Sequence, residues 1–356
     1  MDKRVIPFLL LAILGLLAAL WGGLMRLGWR LPAITPSLAL VHGPLMISGF
    51  LGTLITLERA VALKQSWMYA APLLAGLGGL ISLLIPTQSL GPVLLTLASL
   101  GGVAILVEIT RREFGLHTLT MLLGALTWFT GNLLWLRGSQ IYQIVFWWQA
   151  FLVLTIAGER LELNRVLKPT QQGQVIFGSV LIVLLMGLVT TLFNPQWAAR
   201  LNGLGLLALA LWSVRNDIAW RNLKHKLDLT RYIAWCLALG FIWLGIGGIL
   251  RIVFGAQVAG PRYDAVLHAV FVGFVISMIF GHAPIIFPAV LGVPISFFPT
   301  FYLQLILLHV SLALRVIADF ANAHTLRMWG GLLNAAAILL FLGMTLYSIR
   351  RSLKAR

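Results

Sequence analysis

The feature that most limits what this chain can fold into is the succession of apolar runs, each about twenty residues long, from one end to the other. As a helix, a run of that length matches the hydrocarbon core of a bilayer. Twelve such runs can be read, at roughly 5–25, 37–63, 68–86, 90–108, 118–136, 141–158, 174–193, 197–213, 232–254, 264–292, 298–319 and 327–348. No stretch between them is long or polar enough for a soluble domain. The longest polar connection, Ser213 to Arg231, holds Arg215, Arg221, Lys224, Lys226 and Arg231. The pattern predicts an all-α, polytopic membrane protein of about 12 transmembrane helices, forming a single bundle domain over residues 1–356. Composition agrees, because only 10% of residues are charged, against about 25% in soluble domains.

The first run follows Met1-Asp2-Lys3-Arg4, a start that resembles a signal peptide. It is long, contains Trp21, and ends in Gly-Gly-Leu-Met-Arg without a small-x-small cleavage site. It is therefore read as the first transmembrane helix.

A net charge of +16 invites a nucleic-acid reading. The basic residues, however, lie in short loops rather than on one amphipathic element, and this favours lipid over nucleic acid as the partner. Twelve spans put both termini on one side. That side then carries eighteen of the 26 Lys and Arg residues, including Arg59, Lys64, Arg111, Arg112, Arg160, Arg165 and Lys168. The other side carries eight, namely Arg26, Arg30, Arg137, Arg200, Arg251, Arg262, Arg315 and Arg327. Positive charge collects on the cytoplasmic face, so both termini are placed there, in a multi-pass protein of the inner (cytoplasmic) membrane. The single cysteine, Cys236, rules out an internal disulfide and any multi-cysteine metal site.

Two histidines stand inside apolar segments, His42 in the second span and His268 in the tenth. Ionisable residues within a bilayer are costly and mark functional sites by default. Both spans run in the same direction, and both histidines come early in them. At 1.5 Å per residue, His42 lies about 12 Å outward of its span's midpoint and His268 about 15 Å. Two imidazoles at one depth on different helices meet the condition for axial ligation of one haem. In an α-helical register, His42, Met46, Gly49 and Thr53 share a face, on which glycine would leave room for a macrocycle. The plain alternative is that each histidine caps a helix or bonds a neighbour near the interface.

His282 follows His268 by about four helical turns and precedes Pro284 and Pro288, which would kink or end the helix. His309, in the eleventh span, is within about 6 Å of it in depth. The pair could hold a second haem or a copper ion. The alternative, a histidine bonded to a carbonyl at the kink, is slightly preferred. His117, His225 and His324 are read as solvated. Arg251 and Arg315 end their spans at the level of His42 and are candidates for haem propionates, since arginine offers a planar fork to carboxylates. The alternative for Arg315 is a pair with Asp319 one turn on. Glu58-Arg59, Glu108 and Glu159-Arg160 read as interfacial pairs, and Asn132, Gln149 and Asn334 as interhelical hydrogen-bonding groups. The tryptophans, among them Trp128, Trp135, Trp147 and Trp148, read first as interface anchors. Some of them could instead wall a cofactor.

His42-Gly-Pro-Leu-Met-x-x-Gly49-Phe-x-Gly52 on the second span and His268-x-x-x-Val-Gly273 on the tenth, within twelve spans, resemble the NnrS family of haem- and copper-containing membrane proteins linked to nitric oxide stress. The pattern is also similar to the catalytic subunit of haem-copper oxidases. The resemblance implies His42 and His268 as axial haem ligands. It also implies a role in electron transfer, or in nitric oxide or oxygen handling, with a redox protein or quinol as partner. The sequence departs from the oxidases at the copper ligands. The sixth span reads Phe146-Trp-Trp-Gln149-Ala-Phe151 and the seventh has no histidine, which argues against dioxygen reduction. With no Cys-x-x-Cys-His, the haem would be b-type. The rival classes are a secondary transporter of a small solute and a cofactor-free assembly subunit. Against the transporter stand few mid-membrane carboxylates and broken helices only around Pro284 and Pro288.

Overall fold

The computed structural model describes residues 3–33, 35–86, 88–167, 170–293 and 295–354. Lys168, one of the counted loop cations, lies outside them. Among the described residues every regular element is helical. Twelve helices are long and apolar enough to cross a membrane. They are α1 (Ile6–Arg26), α2 (His42–Leu63), α3 (Ser66–Leu84), α4 (Leu90–Arg112), α5 (Leu116–Leu136), α6 (Ile141–Leu163), α7 (Gln171–Thr190), α8 (Pro195–Asn216), α9 (Asp228–Phe254), α10 (Pro261–Leu291), α11 (Phe301–Phe320) and α12 (His324–Leu353). Each matches a predicted span in order, because a bilayer imposes its thickness on the apolar run whatever the local propensities. The chain is thus a multi-pass protein for a lipid environment.

The chain divides into two compact units, Met1–Gly158 with Ile286–Gly292, and Glu159–Ile285 with Val293–Arg356. In the first, α2 packs against α1 and α3, and α4 against α3 and α5. In the second, α9 packs against α8 and α10, and α11 against α12. Small residues allow the closest approaches, as expected where no hydrophobic force drives helices together in lipid. A β-carbon on Gly79 would come within 2.8 Å of the Gly49 α-carbon, between α2 and α3. One on Gly203 would come within 2.7 Å of the Gly248 carbonyl, between α8 and α9.

Three helices are more buried than the rest: α2, α6 and α10, with 61%, 78% and 72% of their most apolar stretch buried. Two of these three carry a feature the sequence pattern does not announce. Within α2, Leu45–Gly52 is π-helical, and within α10 so is Ala269–Ile276. Runs of eight residues are long for a conformation that usually appears as a single turn. Each run begins within three residues of a histidine and carries a glycine that seats a tryptophan. A β-carbon on Gly52 would lie 2.5 Å from the Trp128 ring, and one on Gly273 would lie 2.4 Å from Trp243.

The prolines of α10 do not end it. Pro284 and Pro288 both lie inside the helical stretch Ser277–Leu291. In a bilayer a proline is tolerated where neighbouring groups take up the freed carbonyls.

Candidate functional site

In the first unit, His42 opens α2. Its Nδ1 lies 2.6 Å from the Ala19 carbonyl of α1. A carbonyl can only accept, so Nδ1 carries the proton and Nε2 is the ring's acceptor nitrogen. Space for the ring is made by Gly23, one turn along α1, where a β-carbon would sit 2.9 Å from the imidazole Cε1. Below the histidine, the face expected from an α-helical register does not persist, because the π turn closes on the fifth residue rather than the fourth. Nor do the glycines leave a cleft. Gly49 is covered by Gly79, and Gly52 by Trp128. A cavity of about 10 Å³ in this unit, lined by Thr56, Arg59, Trp128, Phe151 and Thr155 among others, suits about one water molecule and no macrocycle.

In the second unit, His268 is seated by the same device with different neighbours. Its Nδ1 donates to the Asp264 carbonyl at 2.9 Å and lies 3.2 Å from Asp264 Oδ1. Arg315, on α11, grips Asp264 with both arms of its fork: Nε to Oδ2 at 2.7 Å and Nη2 to Oδ1 at 2.8 Å. The same Nη2 lies 3.3 Å from His268 Nε2. Arginine only donates, so Nε2 accepts and the imidazole is neutral with its proton on Nδ1. Arg315 therefore pairs with Asp264, fifty-one residues away in sequence, and not with Asp319 as the one-turn spacing suggests. Asp319 faces Arg327 at 3.7 Å. Asp264 and Arg315 both lie in apolar spans, and the bidentate geometry offsets part of the cost of holding two charges there. Arg251 is buried in the last turn of α9.

His282 and His309 turn to separate protein groups. His282 Nδ1 donates to the Met278 carbonyl at 2.7 Å, which is the backbone-bonded alternative considered from sequence. Ser277 Oγ donates to the Cys236 carbonyl at 2.7 Å and lies 3.1 Å from His309 Nε2. With its proton spent on Cys236, Ser277 accepts from His309. Among the described residues no group of three or more His, Cys, Asp and Glu side chains could hold a metal ion. His117 is buried, 3.7 Å from Glu113, where the sequence suggested a solvated group. His324 is exposed as expected, and His225 is half-buried.

Two buried polar networks join residues that the sequence does not pair. In the first unit Trp128 Nε1 donates to Ser48 Oγ at 2.9 Å and Trp148 Nε1 to Asn132 Oδ1 at 2.9 Å. Asn132 Nδ2 donates in turn to the Leu95 carbonyl at 3.0 Å. These tryptophans thus serve as buried donors rather than interface anchors, while Asn132 bridges helices as expected. In the second unit Arg160 forks onto Asp217 at 2.9 and 2.7 Å, with Asn164 donating to the same carboxylate at 3.1 Å. Arg160 is therefore committed to Asp217, not to its neighbour Glu159 at the interface. The partners lie on separate elements, which local spacing cannot pair.

What the arrangement offers chemically is a set of imidazoles with Nδ1 fixed by a main-chain carbonyl, His42 in the first unit and His268 and His282 in the second. Metal-bound histidines are commonly oriented in this way. None of the curated proteins matches the chain. One family model does, over residues 4–350, and its description is "Domain of unknown function (DUF8744)". Matched over nearly its whole length, the chain belongs to the DUF8744 family.

Proposed function

We propose that this chain is a haem-binding membrane protein of NnrS-like type, with His42 and His268 as the imidazole ligands of a b-type haem. The observation that carries the reading is the repeated device. In each unit a histidine with its Nδ1 anchored on a carbonyl stands within three residues of the start of an eight-residue π-helix. Long π segments are rare and π turns gather at functional sites.

The donor set is chemically suitable, since both nitrogens needed for ligation are Nε2 atoms of imidazoles with fixed tautomers. Haem would supply one-electron redox chemistry and an affinity for diatomic gases, in electron transfer or in nitric oxide or oxygen handling. The Ala19 and Asp264 carbonyls would hold the rings in orientation. Arg315 has to leave His268 Nε2 before that atom can meet iron. Its fork is committed to Asp264, so its part in the site is to position His268 rather than to grip a propionate. The count of cations on the two faces supports cytoplasmic termini and an inner-membrane location, with a redox protein or quinol as partner. Copper at His282 and His309 has less support, because His309 Nε2 is engaged with Ser277 Oγ. The test is an absorption spectrum of detergent-purified protein from haem-replete cells. A Soret band and an α-band that sharpens on reduction are expected.

One observation favours a second reading. Asp264, Arg315, Asp319 and Arg327 form a charged cluster at one end of α10–α12. Buried ionisable residues mark substrate and ion pathways in transporters. A colourless protein that gains no spectrum on addition of haem would promote that reading.

A further inference from the structure

On α11, Ser311, Arg315 and Asp319 recur at four-residue spacing and so share one buried face. On α12, Arg327 and Asn334 are seven residues apart and share another. The two helices pack on each other, and the seam is tight. A β-carbon on Gly330 of α12 would lie 2.8 Å from Arg315 Cβ, and Asn334 Nδ2 donates to Ser311 Oγ at 2.6 Å.

Several buried polar atoms in this seam are left short of hydrogen-bond partners: both carboxylate oxygens of Asp319, which face the Asp264 carboxylate and a more distant Arg327, together with Asn334 Oδ1 and Arg327 Nε. Asp319 and Asn334 are each only 3% exposed. Arg327 Nη1 stands 3.7 Å from Asp319 Oδ1, too far for a direct hydrogen bond. A buried polar atom left without a partner in an apolar medium is costly enough that native proteins satisfy nearly all of them with protein groups or water. The unmet demand here is mixed, three acceptors and one donor. One small molecule both donates and accepts within such spacings.

We propose that the α11–α12 seam is a hydrated inlet. Ordered waters enter beside Arg327, bridge it to Asp319, pass Arg315 and end at Asn334. The mouth lies at exposed His324 and at Arg327, whose side chain is part-exposed. From Asp319 to Ser311 the inlet is about 12 Å deep at 1.5 Å per residue. Beyond Asn334 it is closed by Leu308 and by Phe341, which stacks on Phe280 at 4.3 Å between ring centroids. Water would thereby be led past Arg315, the residue that holds His268. The inlet stands independently of whether His268 binds haem.

Water-edited solid-state NMR of the full chain in lipid, isotope-labelled at Asn, Asp, Arg, Ser, Leu and Phe, tests this. The side-chain signals of Asn334 and Asp319 should gain intensity from water protons as quickly as those of exposed loop residues. Leu308 and Phe341 should lag several-fold. Asn334→Leu, close to isosteric, should slow the transfer to Ser311 while Asp319 keeps its fast build-up. Should that variant fail to fold, Ser311→Ala gives the same readout at Asn334, which must stay fast. Asn334 and Asp319 signals that lag as far as Leu308 in the wild-type protein would overturn the inlet.

Discussion

His42 and His268 are seated by one device in two surroundings. Each has Nδ1 on a main-chain carbonyl, each precedes an eight-residue π-helix, and each π-helix lodges a tryptophan against a glycine. Around His42 the seat is made by α1 main chain and by Gly23, with no carboxylate among the contacts described above. Around His268 it is made by a carboxylate and a guanidinium, Asp264 and Arg315. The shared part is what a ligand-binding imidazole needs, a fixed ring and tautomer. The unshared part sets how each seat responds to substitution.

The largest difference should come from Asp264→Ala. It leaves the Arg315 charge buried without its fork partner, and breaking a buried pair in this way costs about 3–5 kcal/mol. Denaturation in mixed micelles would read the loss. Asp264→Ala combined with Arg315→Leu should recover much of it, since a well-packed apolar replacement of a buried pair is often close to neutral. If the double variant is no more stable than the single one, the pair does not account for the second seat. The contacts described for the first seat include no such pair, so a charge removal there is expected to cost less.

The π segments should respond alike. Gly52→Ala and Gly273→Ala each drive a β-carbon into an indole, at 2.5 and 2.4 Å, and overpacking of this kind costs about 1–3 kcal/mol. Near-equal losses would sharpen the claim of a repeated device. A loss in only one would break it.

How much of this was legible follows from what each feature depends on. The twelve helices could be read because membrane thickness acts on every run in the same way. The π segments could not, because Leu45–Gly52 and Ala269–Ile276 are apolar octets like any stretch of α-helix around them. For Arg315 the sequence offers a propionate or, by local spacing, Asp319, yet its fork meets Asp264 on another helix, where no local rule reaches. Glycine beneath His42 suggested room. The room is taken by Gly79 and Trp128, since small residues in lipid bring helices together. His42 and His268 themselves stood out because an imidazole within an apolar run is seldom idle.

The smallest expected effect separates the two histidines. His42→Leu removes the hydrogen bond to the Ala19 carbonyl, itself worth a net of about 0.5–1.5 kcal/mol. His268→Leu also takes an acceptor from Arg315, so it should cost more than His42→Leu under the same conditions. An equal cost would mean that the contact between Arg315 and Nε2 carries no energy.

The central claim is that both seats serve a haem, and the most direct measurement is the spectrum of purified protein beside its His42→Ala and His268→Ala variants. The wild type should show a Soret band and a sharp reduced α-band, and each variant should lose the low-spin signature or the haem itself. A wild-type protein without a Soret band, before and after haem is added, would contradict the account. So would variants whose spectra match the wild type.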